Sequence, residues 1–179
     1  MREFIAEDRE RNIFRRLEIR PGTEDDIEAM ALVTERTNAD RAGQPLPESI
    51  PEESEDYSDL QERIHYDGYW SHLAFDRERL AGFVCGYPGT WKGEDSGGNS
   101  DYLWLLMVDP EYQRQGLGKK LLEIAADDAT ARLAESLTLY VSTQNKKAAA
   151  LYETVGFRAI ESVTSDRQGE LIKYTLDLL

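Results

Sequence analysis

Residues 103–120, LWLLMVDPEYQRQGLGKK, constrain this chain more than any other stretch. Leu103, Trp104, Leu105, Leu106, Met107 and Val108 form an apolar run bounded by polar, turn-forming neighbours, the pattern of a buried strand. Asp109-Pro110 stops it, because proline has no N–H to give a ladder. Gln113, Arg114, Gln115, Gly116, Leu117 and Gly118 follow as a loop. From Lys119 onward Leu121, Leu122, Ala125 and Ala129 recur at helical spacing. A strand, a glycine-containing loop and a helix in that order make a phosphate cradle. The first-turn N–H groups have no intrahelical partner, the helix dipole adds positive charge, and glycine lets backbone approach an anion. Taken alone the loop is a weak signal, since many glycines only begin or end helices.

A second block strengthens it. Residues 137–141, LTLYV, read as another strand, and 145–157, NKKAAALYETVGF, follow it. Together the two blocks resemble the GNAT acetyltransferase superfamily. Its first block has the form V-x-P-x-Y-[RQ]-x-x-G-x-[GA], met here by Val108, Pro110, Tyr112, Gln113, Gly116 and Gly118. Its second has the form N-x-x-A-x-x-L-Y-x-x-x-G-F, met by Asn145, Ala148, Leu151, Tyr152, Gly156 and Phe157. The pair covers about 55 residues in the family's order and spacing.

At 179 residues the chain is long enough to bury one core. Residues 1–14 read as a charged N-terminal extension and 15–179 as a single domain. No run approaches the ~18 apolar residues of a membrane span. The N-terminus, charged throughout, lacks an apolar h-region, so no signal peptide is expected. Cys85 is the one cysteine and cannot form an internal disulfide, so a cytoplasmic location is expected. The net charge of -14 disfavours nonspecific nucleic-acid binding. Six lysines against fifteen arginines, under a large excess of acid, suit a high-salt cytoplasm or simply an acidic surface.

In chain order, 14–20 alternate as a strand that Pro21-Gly22 breaks. Thr23 reads as the N-cap of a helix with Asp26 at N3, burying Ile27, Met30, Ala31 and Val33 and ending near Asn38. Pro45, Pro47 and Pro51 among acids make 39–57 a loop, and 58–66 read as a short helix. Strands are expected over 70–75 and 80–87, then a glycine-rich connection over 88–101 that carries Trp91. The central strand, cradle and helix follow, then strand 137–142, a helix from Asn145, and strands 157–163 and 170–178 around a turn at 166–169. The result is a mixed α/β domain of about seven strands and about four helices. The resemblance implies a GNAT-like mixed central sheet whose parallel fourth and fifth strands splay apart, here between 103–108 and 137–142.

What the resemblance implies chemically is transfer of an acetyl group from acetyl-CoA to a primary amine by direct attack. The loop 113–118 and Lys119 would hold the pyrophosphate of coenzyme A through backbone N–H groups. Arg114 stands where many relatives carry a small residue; its charge either reaches a phosphate or faces water. Backbone groups of Met107 and Val108 would bind pantetheine and polarise the thioester carbonyl, with their side chains in the core. Tyr152 is the candidate general acid, since a phenol with a pKa near ~10 stays protonated at neutral pH. It also reads as a core tyrosine on a helix. Asn145 reads both as a cofactor contact and as a helix N-cap.

The base is not visible. Residues 103–108 carry no carboxylate, which leaves Glu161, Asp101, Tyr102, His72 or a water chain. His65 and His72 lack partners at meaningful spacing and read as structural, no metal site is expected, and Cys85 reads as an inert core thiol. A nucleotide-dependent oxidoreductase is the poorer reading, because G-x-G-x-x-G is absent and the strand 137–141 is followed by Ser142 rather than an acid. A non-catalytic acyl-CoA-binding sensor would keep the same fold. In the family, acceptor walls come from variable loops, here 39–70, 88–101 and 164–169, and their acidity favours a cationic amine. No nucleic-acid or membrane partner is expected, and the protein is expected to be a monomer or a homodimer.

Overall fold

The computed structural model describes residues 16–89, 99–166 and 169–178. The charged lead-in at 1–14, Trp91 with most of the glycine-rich connection, and Arg167 and Gln168 of the last turn lie outside the described residues. The rest runs β1 (Leu17–Pro21), α1 (Ile27–Arg41), α2 (Glu55–Arg63), β2 (Trp70–Asp76), β3 (Arg79–Pro88), β4 (Ser100–Val108), α3 (Leu117–Ala131), β5 (Ser136–Ser142), α4 (Lys146–Val155), β6 (Arg158–Ser165) and β7 (Gly169–Asp177). Short 3-10 turns at Glu24–Asp26 and Pro110–Tyr112 precede α1 and the cradle.

The strands form one sheet in the order β1-β2-β3-β4-β5-β7-β6. Every pairing is antiparallel except β4 with β5. Those two pair only over Ser100, Asp101 and Tyr102 against Ser136, Leu137 and Thr138, and then part. A bulge accounts for the parting. Cys85 faces Leu105 but the next residue, Gly86, faces Leu103, so Trp104 is the extra residue in β4. Such an insertion bends and twists its strand. It also resets the alternation: Leu103, Leu106 and Val108 pack on the α3–α4 side, whereas Leu105 and Met107 pack on the α1–α2 side. Gly86 is obligatory at this point, since a Cβ there would sit 2.0 Å from the Tyr102 carbonyl oxygen and 2.6 Å from the Trp70 ring.

Both faces of the sheet are covered. Leu121, Leu122, Leu137, Leu139 and Phe157 fill the α3–α4 side, and Met30, Val33, Leu60, Leu73 and Phe83 fill the other. Each such side chain, removed from water, contributes about 1.5–3 kcal/mol.

Several element boundaries differ from the sequence reading, each for a local reason. Thr23 and Asp26 do form a capping box, and Arg20 clamps the Asp26 carboxylate at 2.7 and 2.8 Å. That turn is 3-10, however, and α1 begins at Ile27 and runs past Asn38 to Arg41. Ser54, inside the acidic loop, caps Tyr57 N–H at 3.0 Å and starts α2 at Glu55 rather than at Ser58. β4 begins at Ser100, so Asp101 and Tyr102 are strand residues. Helix α3 already begins at Leu117, which puts Leu117 and Gly118 in its first turn rather than in the loop. Among the described residues no helix is long and apolar enough to cross a membrane.

Candidate functional site

A cavity of about 580 Å³ opens where β4 and β5 part. Leu106 and Val108 wall it on the β4 side, Gln113, Arg114 and Gly116 on the loop side, and Gly118 and Lys119 at the start of α3. Asn145, Lys147, Leu151 and Tyr152 reach it from α4 and its cap, and Thr37, Asp40 and Arg41 from the last turns of α1.

The loop is built for close approach. Gly116 caps α3 at φ 85°, a left-handed conformation open to glycine at little cost. Arg114, with φ 61°, holds the same region without that freedom, which stores about 1–2 kcal/mol of strain. A Cβ on Gly118 would stand 3.1 Å from Leu151 Cδ2 and 3.7 Å from Val108 Cγ2, so this glycine lets α3 lie against α4 and β4. The first turn of α3, whose N–H groups have no partner within the helix, reaches the cavity through Gly118 and Lys119.

Charge at the cavity runs against the rest of the molecule. The chain carries -14, yet the lining holds Arg41, Arg114, Lys119 and Lys147 against one carboxylate, Asp40. Two of these cations, Lys119 and Lys147, stand in the first turns of α3 and α4, with Lys120 and Lys146 beside them. Lysine there has the wrong sign for the helix dipole. Helix starts of this kind favour an anion, through their free N–H groups and the dipole.

Tyr152 is 8% exposed and lies between the rings of Phe157, at 5.8 Å, and Tyr174, at 6.2 Å. Burial pushes its phenol up to about 12, and the Arg41 guanidinium works against that rise. Asn145 caps α4, its side-chain oxygen accepting from Ala148 N–H at 3.2 Å, while also lining the cavity.

Below the loop, Asp109 is buried and accepts from Arg36 Nε at 2.6 Å, from Arg79 Nη2 at 3.2 Å and from Glu111 N–H at 3.0 Å. Arg36 also donates to the Pro47 carbonyl at 3.1 Å, which ties the proline-rich loop to the same hub. The Val108 carbonyl accepts from Gln113 Nε2 at 3.0 Å and from Thr37 Oγ1 at 3.3 Å. These bonds fix the end of β4, the loop and α1 relative to one another.

The model of the Acetyltransferase (GNAT) family matches residues 34–157, well over half of the chain. The chain belongs to the GNAT acetyltransferase family. It is 49% identical over 55 residues to the [ribosomal protein bS18]-alanine N-acetyltransferase of Escherichia coli K12, a stretch covering 31% of this chain and 37% of that one. The chain thus spans little more than a third of that relative's length. A GNAT-family structure from Desulfovibrio desulfuricans superposes with a TM-score of 0.72 at 22% identity, covering 91% of this chain and 99% of that one. An acetyltransferase structure from Salmonella typhimurium with its cofactor acetyl-CoA superposes at 0.69 and 20% identity, covering 92% and 95%. At these identities the likeness is one of fold: a GNAT sheet with parallel, parting β4 and β5.

Within this GNAT domain the expected site residues divide. Val108, Gln113, Arg114, Gly116, Gly118, Lys119, Asn145 and Tyr152 meet at the cavity. The Met107 and Leu117 side chains are buried in the two cores, the Gln115 amide donates to the Glu111 carbonyl at 3.1 Å, and none of the three lines the cavity. Of the suggested bases, none lines the cavity. Glu161 is exposed beside Lys173, and Asp101 is clamped by Arg132 at the closed end of the parallel pair. His72, expected to lack a partner, instead lies 3.0 Å from Asp128, which Arg132 also holds. This four-residue network joins β2, β4 and the end of α3, and folding brings together residues 56 and 31 positions apart. Sequence reading also missed Thr37, Asp40, Arg41 and Lys147. The paired lysines at two helix starts were the one available signal.

Proposed function

We propose that this GNAT domain, residues 15–179, moves the acetyl group of acetyl-CoA to a primary amine by direct attack, with Tyr152 as general acid. The observation that carries the reading is a buried tyrosine facing a cation-lined cavity where two parallel strands part. The pyrophosphate belongs at the start of α3, against the backbone of residues 113–118 with Arg114 and Lys119 alongside. The pantetheine arm runs between β4 and β5 past backbone groups of Met107 and Val108, which also polarise the carbonyl. Asn145 contacts the arm. Attack by the amine gives a tetrahedral intermediate, the C–S bond breaks, and the Tyr152 proton goes to sulfur.

The choice of acceptor is supported by the names of one similar sequence, an N-acetyltransferase for alanine of a ribosomal protein, and of one protein of similar fold at 19% identity, a spermidine N-acetyltransferase. Both present a primary amine, and the acidic loops of this chain suit one that is cationic. Incubating the protein with acetyl-CoA and a panel holding an alanine-initiated peptide and spermidine, with free thiol as readout, should give turnover. Tyr152→Phe should lower kcat by roughly ten- to ten-thousand-fold and leave acetyl-CoA affinity nearly unchanged. Tight acetyl-CoA binding with no turnover of any amine would replace the enzyme reading with that of a sensor.

A further inference from the structure

We propose that Arg41, in the last turn of α1, stabilises the anion left on Tyr152 Oη when that residue gives its proton to the departing thiolate. The inference rests on the general-acid reading of Tyr152. Three observations lead to it, the first being position. Helix α1 continues to Arg41, and this residue lines the same cavity as Tyr152. The second is the absence of a competing partner. Arg20, Arg36, Arg79, Arg132 and Arg158 are each bound to a carboxylate. Arg41 makes no hydrogen bond or ion pair among the described residues, in a chain with 35 acids. The third is what surrounds the phenol. Phe157 and Tyr174 pack against the ring, and Tyr174 Oη donates to Glu153 at 3.2 Å. Asp40 on α1, Arg114 in the loop, Lys119 on α3 and Lys147 on α4 also line the cavity, and Tyr102 on β4 interacts with the phenol, yet burial raises the phenol and Arg41 is the cation that opposes the rise.

The chemistry requires such a charge. A phenol that burial has pushed up to about 12 is a weaker acid than the thiol it must create, so the proton transfer runs uphill. In the step itself the C–S bond breaks, its electron pair stays on sulfur, and the O–H proton moves to that sulfur. The tyrosinate then recovers a proton from solvent, which has taken the one released by the acceptor nitrogen. A cation facing the oxygen lowers the energy of the intervening tyrosinate and of the transition state that resembles it.

The test reads the phenol directly. With 3,5-difluorotyrosine placed at position 152, the ring fluorines acidify the phenol into an accessible range, and 19F NMR follows its titration without any acceptor. Arg41→Gln should raise the midpoint by about one pH unit, and Arg41→Lys should leave it near the parent value. In the natural protein, Arg41→Gln should lower kcat roughly tenfold with the panel amine that turns over, Arg41→Lys should recover most of that loss, and Arg41→Gln added to Tyr152→Phe should cost nothing more. An unmoved midpoint overturns the inference, as does a loss confined to acetyl-CoA affinity, which would make Arg41 a phosphate ligand. A slow Tyr152→Phe enzyme beside an unmoved midpoint defeats the Arg41 inference alone. A fast Tyr152→Phe enzyme defeats the acid reading and the inference with it.

Discussion

Asp109 shows how much one buried carboxylate can organise. Its side chain is 1% exposed, and it holds Arg36 and Arg79 from two different elements together with the turn that leads into the loop 113–116. Removing one partner of a buried pair leaves the other charge without compensation, which costs about 3–5 kcal/mol. Glu111 remains to hold Arg36 and Arg79, so Asp109→Ala should fall near the low end, about 3 kcal/mol. Urea unfolding checks this as a lowered midpoint at unchanged slope. A loss under about 1 kcal/mol would show that the hub is held by Glu111 instead. Tyr152 has the opposite character. Its burial contributes to packing, but its raised phenol pKa has meaning only for the chemistry proposed at the cavity.

At the scale of elements, the start of α3 carries the expectation that can be read without knowing the acceptor. Gly116 combines a left-handed backbone with a place on the cavity wall. Gly116→Asp adds bulk and a negative charge at the cavity wall, whereas Gly116→Asn adds the same bulk at the same backbone conformation without the charge. Acetyl-CoA should raise the melting temperature of the parent and of the Asn variant by mass action, and should leave the Asp variant nearly unmoved. Equal stabilisation of the Asp variant would place the phosphates elsewhere. The same element-level logic explains the opening itself. With Trp104 bulged out of register, the bent β4 leaves β5 after Tyr102, and unpaired backbone faces the gap.

At the scale of the whole molecule, ion pairs set how stability responds to acid. The guanidiniums of Arg79 and then Arg36 hold the Glu111 carboxyl down to about 2, and Arg20 holds Asp26 below the usual range. Groups depressed in the folded state stabilise it above their unfolded values, and that contribution is lost as pH falls through the folded ones. Asp56, raised by burial and then by the nearby Glu35, has the opposite sign and is relieved on protonation. The expectation is a melting temperature that declines from about pH 4.5 toward pH 2, with Glu111→Gln flattening part of the decline. A variant with the same acid limb as the parent would show that Glu111, exposed as it is, contributes nothing to it.

Much of this domain was legible along the chain. The strand over 103–108, the proline stop after it and the helix that follows the glycine loop are each defined by turn chemistry and periodicity within about a dozen residues, while the block from Asn145 to Phe157 was read through its resemblance to the family. Those forces act locally, so alternation, a proline stop and a helical stripe are sufficient to read. Folding alone decided the pairings across long separations. Arg36 meets Asp109 across 73 positions and His72 meets Asp128 across 56, because the sheet order and the helix layers bring them together. The Trp104 bulge, and with it the face on which each residue of β4 packs, depends on Gly86 and the Trp70 ring lying against it. The run of α1 to Arg41 likewise escaped the local signals, since no proline or glycine stops the helix at Asn38 and its last turns pack toward the end of β4. Local sequence determined which elements form. Burial and hydrogen bonding between distant elements decided which charges face the cavity, because those energies exist only once the sheet has assembled.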